Sequence, residues 1–408
     1  MEPGIVERVL RYVDAELLVE LTRSLIRIDS VYRPERGTGE AGVARYVTEL
    51  LEAWGFSVRV EEAAPGRPNV LAELCGTREG KTLLFEAHSD VVTEGDASLW
   101  TYPPFEGVVV DNRIYGRGAC DTKGNLAAAM VALKAIKDAA ADFGGRILLA
   151  VPVDEEGLMI GIKKMIESGW CNEVDGAIIC EPEENQLCIA QKGALRIGIR
   201  AHGKMAHGAI PRAGINPITP VCRMVARLAE LERSEGAHHG EDPLVGWPSI
   251  TPTIFLAPPS GEPQINVIPN QAYVTLDVRT TPRQDHGFLK EAVLNIAREE
   301  ADKVPGLRVE TAVIDDRPCT YTPPDDPVVQ AAAEAVRLVT GREPQYNGVP
   351  GATDGTFLWA WKGIPIVTFG AGKREVPHQV DEYVDIPELI ETARLYAAAA
   401  MIFLSTRR

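Results

Sequence analysis

Apolar residues in this chain follow two different periods. Helical spacing runs over 15–28 and 42–54, and short apolar runs bounded by turn residues occupy 55–60, 69–74 and 82–87. The run 82–87 (TLLFEA) is nearly continuous, as in a strand covered on both faces. Asp111-Asn112 marks a hairpin turn between 106–110 and 113–115. An Ala-rich helix over 124–140, a strand over 146–153, a helix over 160–168 and a strand over 176–180 follow. Strands alternating with helices predict α/β layers around a mixed, mostly parallel sheet with helices on both faces.

From 195 the pattern changes. Residues 195–201 alternate strictly, and the order then reads helix 218–232, strands 251–256 and 272–279, helix 288–303 and strand 307–313. That order, βαββαβ, is a two-layer unit of its own. Beyond Pro323-Pro324 come a helix at 327–339, a Gly-rich loop at 348–355, a strand at 364–369 and a last helix at 386–404. The expected organisation is a discontinuous α/β domain, 1–187 with 316–408, interrupted by an inserted domain at 188–315. The Gly-, His- and Pro-containing stretch 233–247 reads as a mobile loop.

Composition narrows the function classes. The formal net charge of −16 argues against nucleic acid or an anionic membrane as partner. The acidic start MEPGIVERV has neither the basic nor the apolar region of a signal peptide, and no run of eighteen apolar residues occurs. Seven scattered Cys without a CxxC pair read as reduced thiols, so a cytoplasmic protein is expected.

The candidate chemistry gathers at strand ends. His88 and Asp90, two apart, would share one face of a strand, with a metal-binding imidazole and a carboxylate that fixes its tautomer. Asp121 stands at a helix start, where its carboxylate can bridge two ions, although the helix dipole alone also favours an acid there. Asp154-Glu155-Glu156 ends an apolar strand; adjacent acids there repel unless cations balance them. Two neighbouring Glu can divide the roles of metal ligand and general base. Glu181 ends another strand, and His378 can complete a second ion's shell. Each feature alone has a plainer structural explanation. Together they lie at the carboxyl edge of an α/β sheet, where such sheets bind ligands. Imidazole with carboxylate suits zinc, with cobalt or manganese as alternatives.

The segments AHSDVV, YGRGACDTKGN, VDEEG, CEP, KMAHGAIPRAGINPI, NVIPN, LDVR, GATDG and PHQVDEYV, in this order, resemble the acetylornithine deacetylase, succinyl-diaminopimelate desuccinylase and aminoacylase family of dinuclear zinc hydrolases. The resemblance implies that the inserted βαββαβ domain serves for dimerisation and as a lid. It implies His88 and Glu181 as ligands of one metal, Glu156 and His378 as ligands of the other, and Asp121 as the bridge. Glu155 becomes the general base and Asp90 the orienter of His88. His207 matches the histidine lent to a partner's active site, Asn266 and Arg279 match substrate-binding residues, and Gly351 and Thr353 match a pocket loop. The implied activity is a dinuclear metal-dependent amidohydrolase that cleaves a small N-acyl amino acid, as a homodimer. A dipeptidase or carboxypeptidase on the same metals is the alternative, and a non-catalytic binding module a more distant one. Thr122 and Asn125 depart from the family pattern, which commonly has Met and Gly there.

Overall fold

The structure, a computed structural model, describes residues 4–405; the outermost residues of the expected α/β domain, 1–3 and 406–408, lie outside it. The chain divides into two units, Met1–Ile189 with Tyr321–Val349 and Thr353–Arg408, and Ala190–Thr320 with Pro350–Ala352.

Among the described residues the first unit is built on a nine-stranded sheet. Its order runs Ser57–Ala64, Arg67–Cys75, Gly144–Val151, Arg78–Glu86, Gly176–Ile179 and Ile366–Thr368, with three short strands beyond. Gly144–Val151, Arg78–Glu86, Gly176–Ile179 and Ile366–Thr368 are mutually parallel. The Ser57–Ala64 and Arg67–Cys75 hairpin adds on antiparallel. The α/β expectation is met. The continuous apolar run is explained by burial on two sides. Leu84 packs with Ile162, Met165 and Phe357 on one face. Phe85 faces the other way, its ring 5.5 Å from that of Tyr396 in the last helix, Ile386–Ser405. Each such side chain contributes about 1.5–3 kcal/mol by leaving water. The predicted hairpin also forms, Val108–Val110 with Arg113–Tyr115, its turn carried by Asp111 and Asn112 at positive φ.

The second unit carries a four-stranded sheet in the order Ser249–Leu256, Gln271–Thr280, Gly193–His202 and Arg308–Arg317, antiparallel throughout. Helices Ile218–His239 and His286–Asp302 share a core with it, where Met224, Leu228, Leu289 and Val293 meet Leu195, Ile197, Val274 and Leu276. This is the expected βαββαβ unit. One prediction fails. The stretch 233–247 is not a loop from its start, because helix Ile218–His239 continues through Gly236. A helical Gly costs about 1 kcal/mol. Here buried Glu235 is held by Gln284 at 2.9 Å and His239 at 3.4 Å, and the helix stops only at Gly240, φ +71°.

Within the second unit, His286 Nδ1 lies 2.6 Å from Asp316, which also takes Lys290 Nζ at 2.6 Å. Burial would lower the His286 pKa, but Asp316 outweighs it and holds the imidazole up at about 9. A group whose pKa rises on folding stabilises below its unfolded value and loses that contribution as pH climbs through the folded one. The protein should therefore lose thermal stability between pH 6.5 and about 9, and a His286→Gln variant should lose less over the same range. Parallel melting profiles for the two proteins would show that the pair contributes nothing.

Candidate metal centre

The parallel strands Gly144–Val151, Arg78–Glu86, Gly176–Ile179 and Ile366–Thr368 lead at their carboxyl ends into the segments that bear Glu155, Glu156, His88, Asp90, Glu181 and His378, while Asp121 follows the short strand Arg113–Tyr115. None of these seven residues lies in a strand. Arg78–Glu86 ends two residues before His88, so His88 and Asp90 do not share a strand face as the sequence suggested. The released backbone lets His88 turn Nδ1 to the Asp90 carbonyl at 3.0 Å, with the Asp90 carboxylate farther away at 3.6 Å. With Nδ1 donating to that carbonyl, Nε2 is free to act as a ligand. The Asp90 carboxylate instead accepts the backbone N–H groups of Glu155 and Glu156, both at 3.1 Å. Asp90 thus fixes His88 through its backbone and the acidic turn through its side chain.

Two groups of side chains meet across Asp121. Its Oδ1 lies 3.0 Å from His88 Nε2, which is 3.7 Å from Glu181 Oε1. Its Oδ2 lies 3.3 Å from His378 Nε2, which is 2.8 Å from Glu156 Oε1. In each trio one donor atom per residue falls within 4.8 Å of the others. One carboxylate with its two oxygens turned to two imidazole–carboxylate pairs is the arrangement of a bridging ligand. The donors also fit divalent cations by chemistry, being nitrogen and oxygen only. Glu181 Oε1 is buried without a hydrogen-bond partner, which is costly unless a cation meets it. Glu155 belongs to neither trio, although its charge is felt at Glu181.

The electrostatics agree with that geometry. Burial pushes the Glu181 carboxyl well above its usual range against the pull of His88, and Asp121 adds to the push. Burial and the Asp121 charge also raise Glu156. Asp121 itself is held low: burial opposes ionisation, but hydrogen bonds from His378 and His88 outweigh it. His378 is pushed up to about 10 by Asp121 and Glu156.

The loop around Asp121 is tied to the segments beside the other candidate residues. Gly124 is required there, since a Cβ would sit 2.4 Å from the Ala119 carbonyl oxygen. The Thr122 hydroxyl donates to the Cys180 carbonyl, beside Glu181. Asn125 clamps Ala371 at both ends, accepting its N–H at 2.8 Å and donating to its carbonyl at 3.0 Å. The two departures from the family pattern are therefore fastenings. Asp154, the first of the three acids, is structural: it pairs with Arg67 at 2.7 Å and accepts the Leu158 N–H at 2.9 Å.

The remaining candidates lie elsewhere. His207 and Asn266 are brought together in the second unit, where Ala206–His207 pairs with Val267–Ile268. Both are exposed, and Gly208 N–H donates to the Asn266 carbonyl at 2.6 Å. Arg279, in the same unit, forks onto Asp277 at 2.7 and 3.1 Å. Gly351 belongs to the second unit, while buried Thr353 belongs to the first and caps Gly355 N–H at 3.2 Å. Two acids near the centre escaped the sequence reading. Glu86 and Asp354 are fully buried, and none of their carboxylate oxygens has a hydrogen-bond partner. Burial raises Glu86 to about 7 against the pull of His88, and the Asp90 charge adds to the push. Burial and the Glu86 charge raise Asp354. The signal for Glu86 was a lone charge inside the apolar run LLFEA.

An α/β sheet carrying a carboxylate-bridged pair of His/Glu clusters at its carboxyl edge defines a metal-dependent hydrolase. Residues 84–402 match Peptidase family M20/M25/M40, and the chain belongs to that family. It is a metal-dependent amide hydrolase. Among its relatives, a succinyl-diaminopimelate desuccinylase of Methylorubrum extorquens is 31% identical, over 92% of this chain and 96% of the relative. One from Rhodospirillum centenum is 29% identical, over 93% and 95%. A tripeptidase from Staphylococcus aureus shares the fold, with TM-score 0.78, 21% identity and coverage of 97% of this chain and 100% of that one. So does a metallo-carboxypeptidase from Sulfolobus solfataricus, with TM-score 0.77, 20% identity and coverage of 95% and 99%.

Metal uptake near neutral pH should release protons. His378, held up to about 10, and His88, held well above its ordinary value, are protonated in the metal-free protein and must lose those protons to become ligands. Apparent affinity should therefore rise with pH up to about 10. Calorimetric titration in buffers of different ionisation heat measures the release; metal binding with no proton release at pH 7 would contradict the electrostatics above.

Proposed function

We propose that this protein hydrolyses the amide bond of a small N-acyl amino acid, in the manner of a deacetylase or desuccinylase, with two divalent ions at the centre. Zinc suits the imidazole–carboxylate donors best, with cobalt or manganese as alternatives. The observation that carries the reading is Asp121, whose two oxygens face separate His/Glu pairs. The desuccinylase relatives, similar over nine-tenths of the chain, favour an acyl amino acid over a dipeptide.

His88, Glu181 and Asp121 would hold one ion, and Glu156, His378 and Asp121 the other. When bound, the ions supply Lewis acidity, lowering the pKa of water and polarising the scissile carbonyl. Glu155, next to a ligand but in neither trio, takes the proton of the attacking water and returns it to the leaving nitrogen. Asp90 keeps that acidic turn in place through its bonds to the Glu155 and Glu156 N–H groups. His207 of the partner subunit meets the charge that grows on the acyl oxygen. Arg279 pins the substrate carboxylate in exchange for Asp277, with Asn266 as a further donor. Gly351 and Thr353 line the pocket.

The homodimer forms through the inserted unit. Its Ser249–Leu256 strand lies at the edge of the four-stranded sheet and exposes Ile254, Phe255 and Leu256 at 47%, 42% and 45%. An apolar open edge of that kind calls for a second copy. Free cysteines throughout, and no helix among the described residues long and apolar enough to cross a membrane, support a cytoplasmic location.

The experiment pairs Glu155→Ala with a substrate panel of N-succinyl, N-acetyl and N-carbamoyl amino acids and dipeptides. The variant should retain its metal while turnover falls roughly 10²–10⁴-fold, and an N-acyl amino acid should be the preferred substrate. Near wild-type turnover in the variant would remove Glu155 from the mechanism. Dipeptides cleaved ahead of every N-acyl compound would replace the substrate assignment with a peptidase.

A further inference from the structure

The mechanism leaves unused a buried carboxylate beneath the bridging aspartate. Strand Tyr383–Asp385 pairs antiparallel with Arg113–Tyr115, and just past that ladder Gly116 N–H donates to the Glu382 carbonyl at 2.8 Å. This register sets the Glu382 side chain under the turn that follows Tyr115. Its Oε1 accepts three backbone N–H groups, of Gly118 at 3.1 Å, Cys120 at 2.9 Å and Asp121 at 3.0 Å. Its Oε2 takes Arg117 at 2.5 Å. Both side chains are buried, 2% and 1% exposed, and Arg117 is fixed in turn by the Thr93 carbonyl at 3.2 Å.

Every group that meets this carboxylate is a donor. One of them is the backbone of Asp121 itself. Glu382 is also four residues beyond His378, and its neighbour Asp381 is fastened to Thr101 by two bonds of 2.7 Å. The Glu382 side chain therefore joins the loop bearing the bridge to the segment that follows His378. His88 and Glu181 reach Asp121 from other strand ends and do not depend on that joint.

We propose that Glu382 is a positioning residue that sets Asp121 against His378, and so governs the ion held by Glu156 and His378 more than the ion held by His88 and Glu181. This rests on the two-metal reading above. Side chains behind metal ligands typically govern affinity by 10–100-fold. A glutamine at 382 keeps the volume but turns an NH₂ donor against Arg117 or against the three N–H groups.

The test is cobalt(II) titration of metal-free Glu382→Gln, followed by visible absorption, with His378→Ala and His88→Ala as references. Hydrogen exchange at the amides of 118, 120 and 121 is measured on the same metal-free proteins. The variant should bind one cobalt as the wild type does and the second about 10–100-fold more weakly, resembling His378→Ala and not His88→Ala. Its kcat should fall while KM stays within about twofold, and the three amides should exchange faster. Wild-type affinity for both ions with an unchanged spectrum would overturn the proposal. If the wild type itself bound no cobalt, the two-metal reading would fail, and the exchange data would still decide the hold of Glu382 on the loop: unchanged exchange overturns it. Should Glu382→Gln not fold, Glu382→Asp keeps an acid against Arg117 but withdraws it from the three amides, and the same weakening of the second cobalt is expected.

Discussion

The centre of this molecule is a set of acids that water cannot screen. Asp90, Asp121, Glu155, Glu156 and Glu181 converge with little exposure, and burial pushes Glu181 and Glu156 toward protonation. Two like charges 4 Å apart repel by about 4 kcal/mol at an effective dielectric near 20. Such a cluster persists in ionised form only if positive charge sits among the carboxylates. Two imidazoles supply part of it, and both aim Nε2 at the same aspartate. A site of this kind is built for cations, and the surrounding contacts serve to keep its oxygens from relaxing away.

The fold meets that demand through direction. Parallel strands point all their carboxyl ends to one side, so the segments after Glu86, Val151, Ile179 and Thr368 can converge although they are far apart in sequence. The strands stop short, and the candidate ligands ride on loops held by fixed groups. Asp90 grips the 155–156 turn, Thr122 the strand end before Glu181, Asn125 the segment at 371, and Glu382 the loop of Asp121. His378, at φ +66°, is in a backbone conformation that non-glycine residues seldom adopt, which places it among the tightly determined parts of the site.

Much of this was legible in the residues. Two-sided burial writes itself as a nearly continuous apolar run, so TLLFEA announced a buried strand, and strict alternation from 195 announced the separate βαββαβ unit. Candidate ligands stood out because acids and histidines at the ends of apolar strands are conspicuous, and their division between two ions came from the family resemblance. Other features were hidden. A helix through Gly236 depends on Glu235 meeting Gln284 from a distant element, which local spacing does not record. Helix Gly355–Lys362 was hidden by the Gly-rich stretch before it. The geometry of His88 and Asp90 depended on where a strand ended by one or two residues, and that shift moved the contact from carboxylate to carbonyl. Glu382 was invisible for a related reason: nothing in VDEYV says that this acid, and not Asp381, turns inward under a loop more than 260 residues earlier.

In the proposed site Asp121 separates two metal positions, one between His88 and Glu181 and one between Glu156 and His378. Anomalous diffraction at the zinc edge, on crystals of the zinc-loaded protein, tests it most directly. Two anomalous peaks per chain, about 3.5–4 Å apart and flanking the Asp121 carboxylate, are the predicted result. A single peak, or peaks that do not share Asp121, would contradict the account.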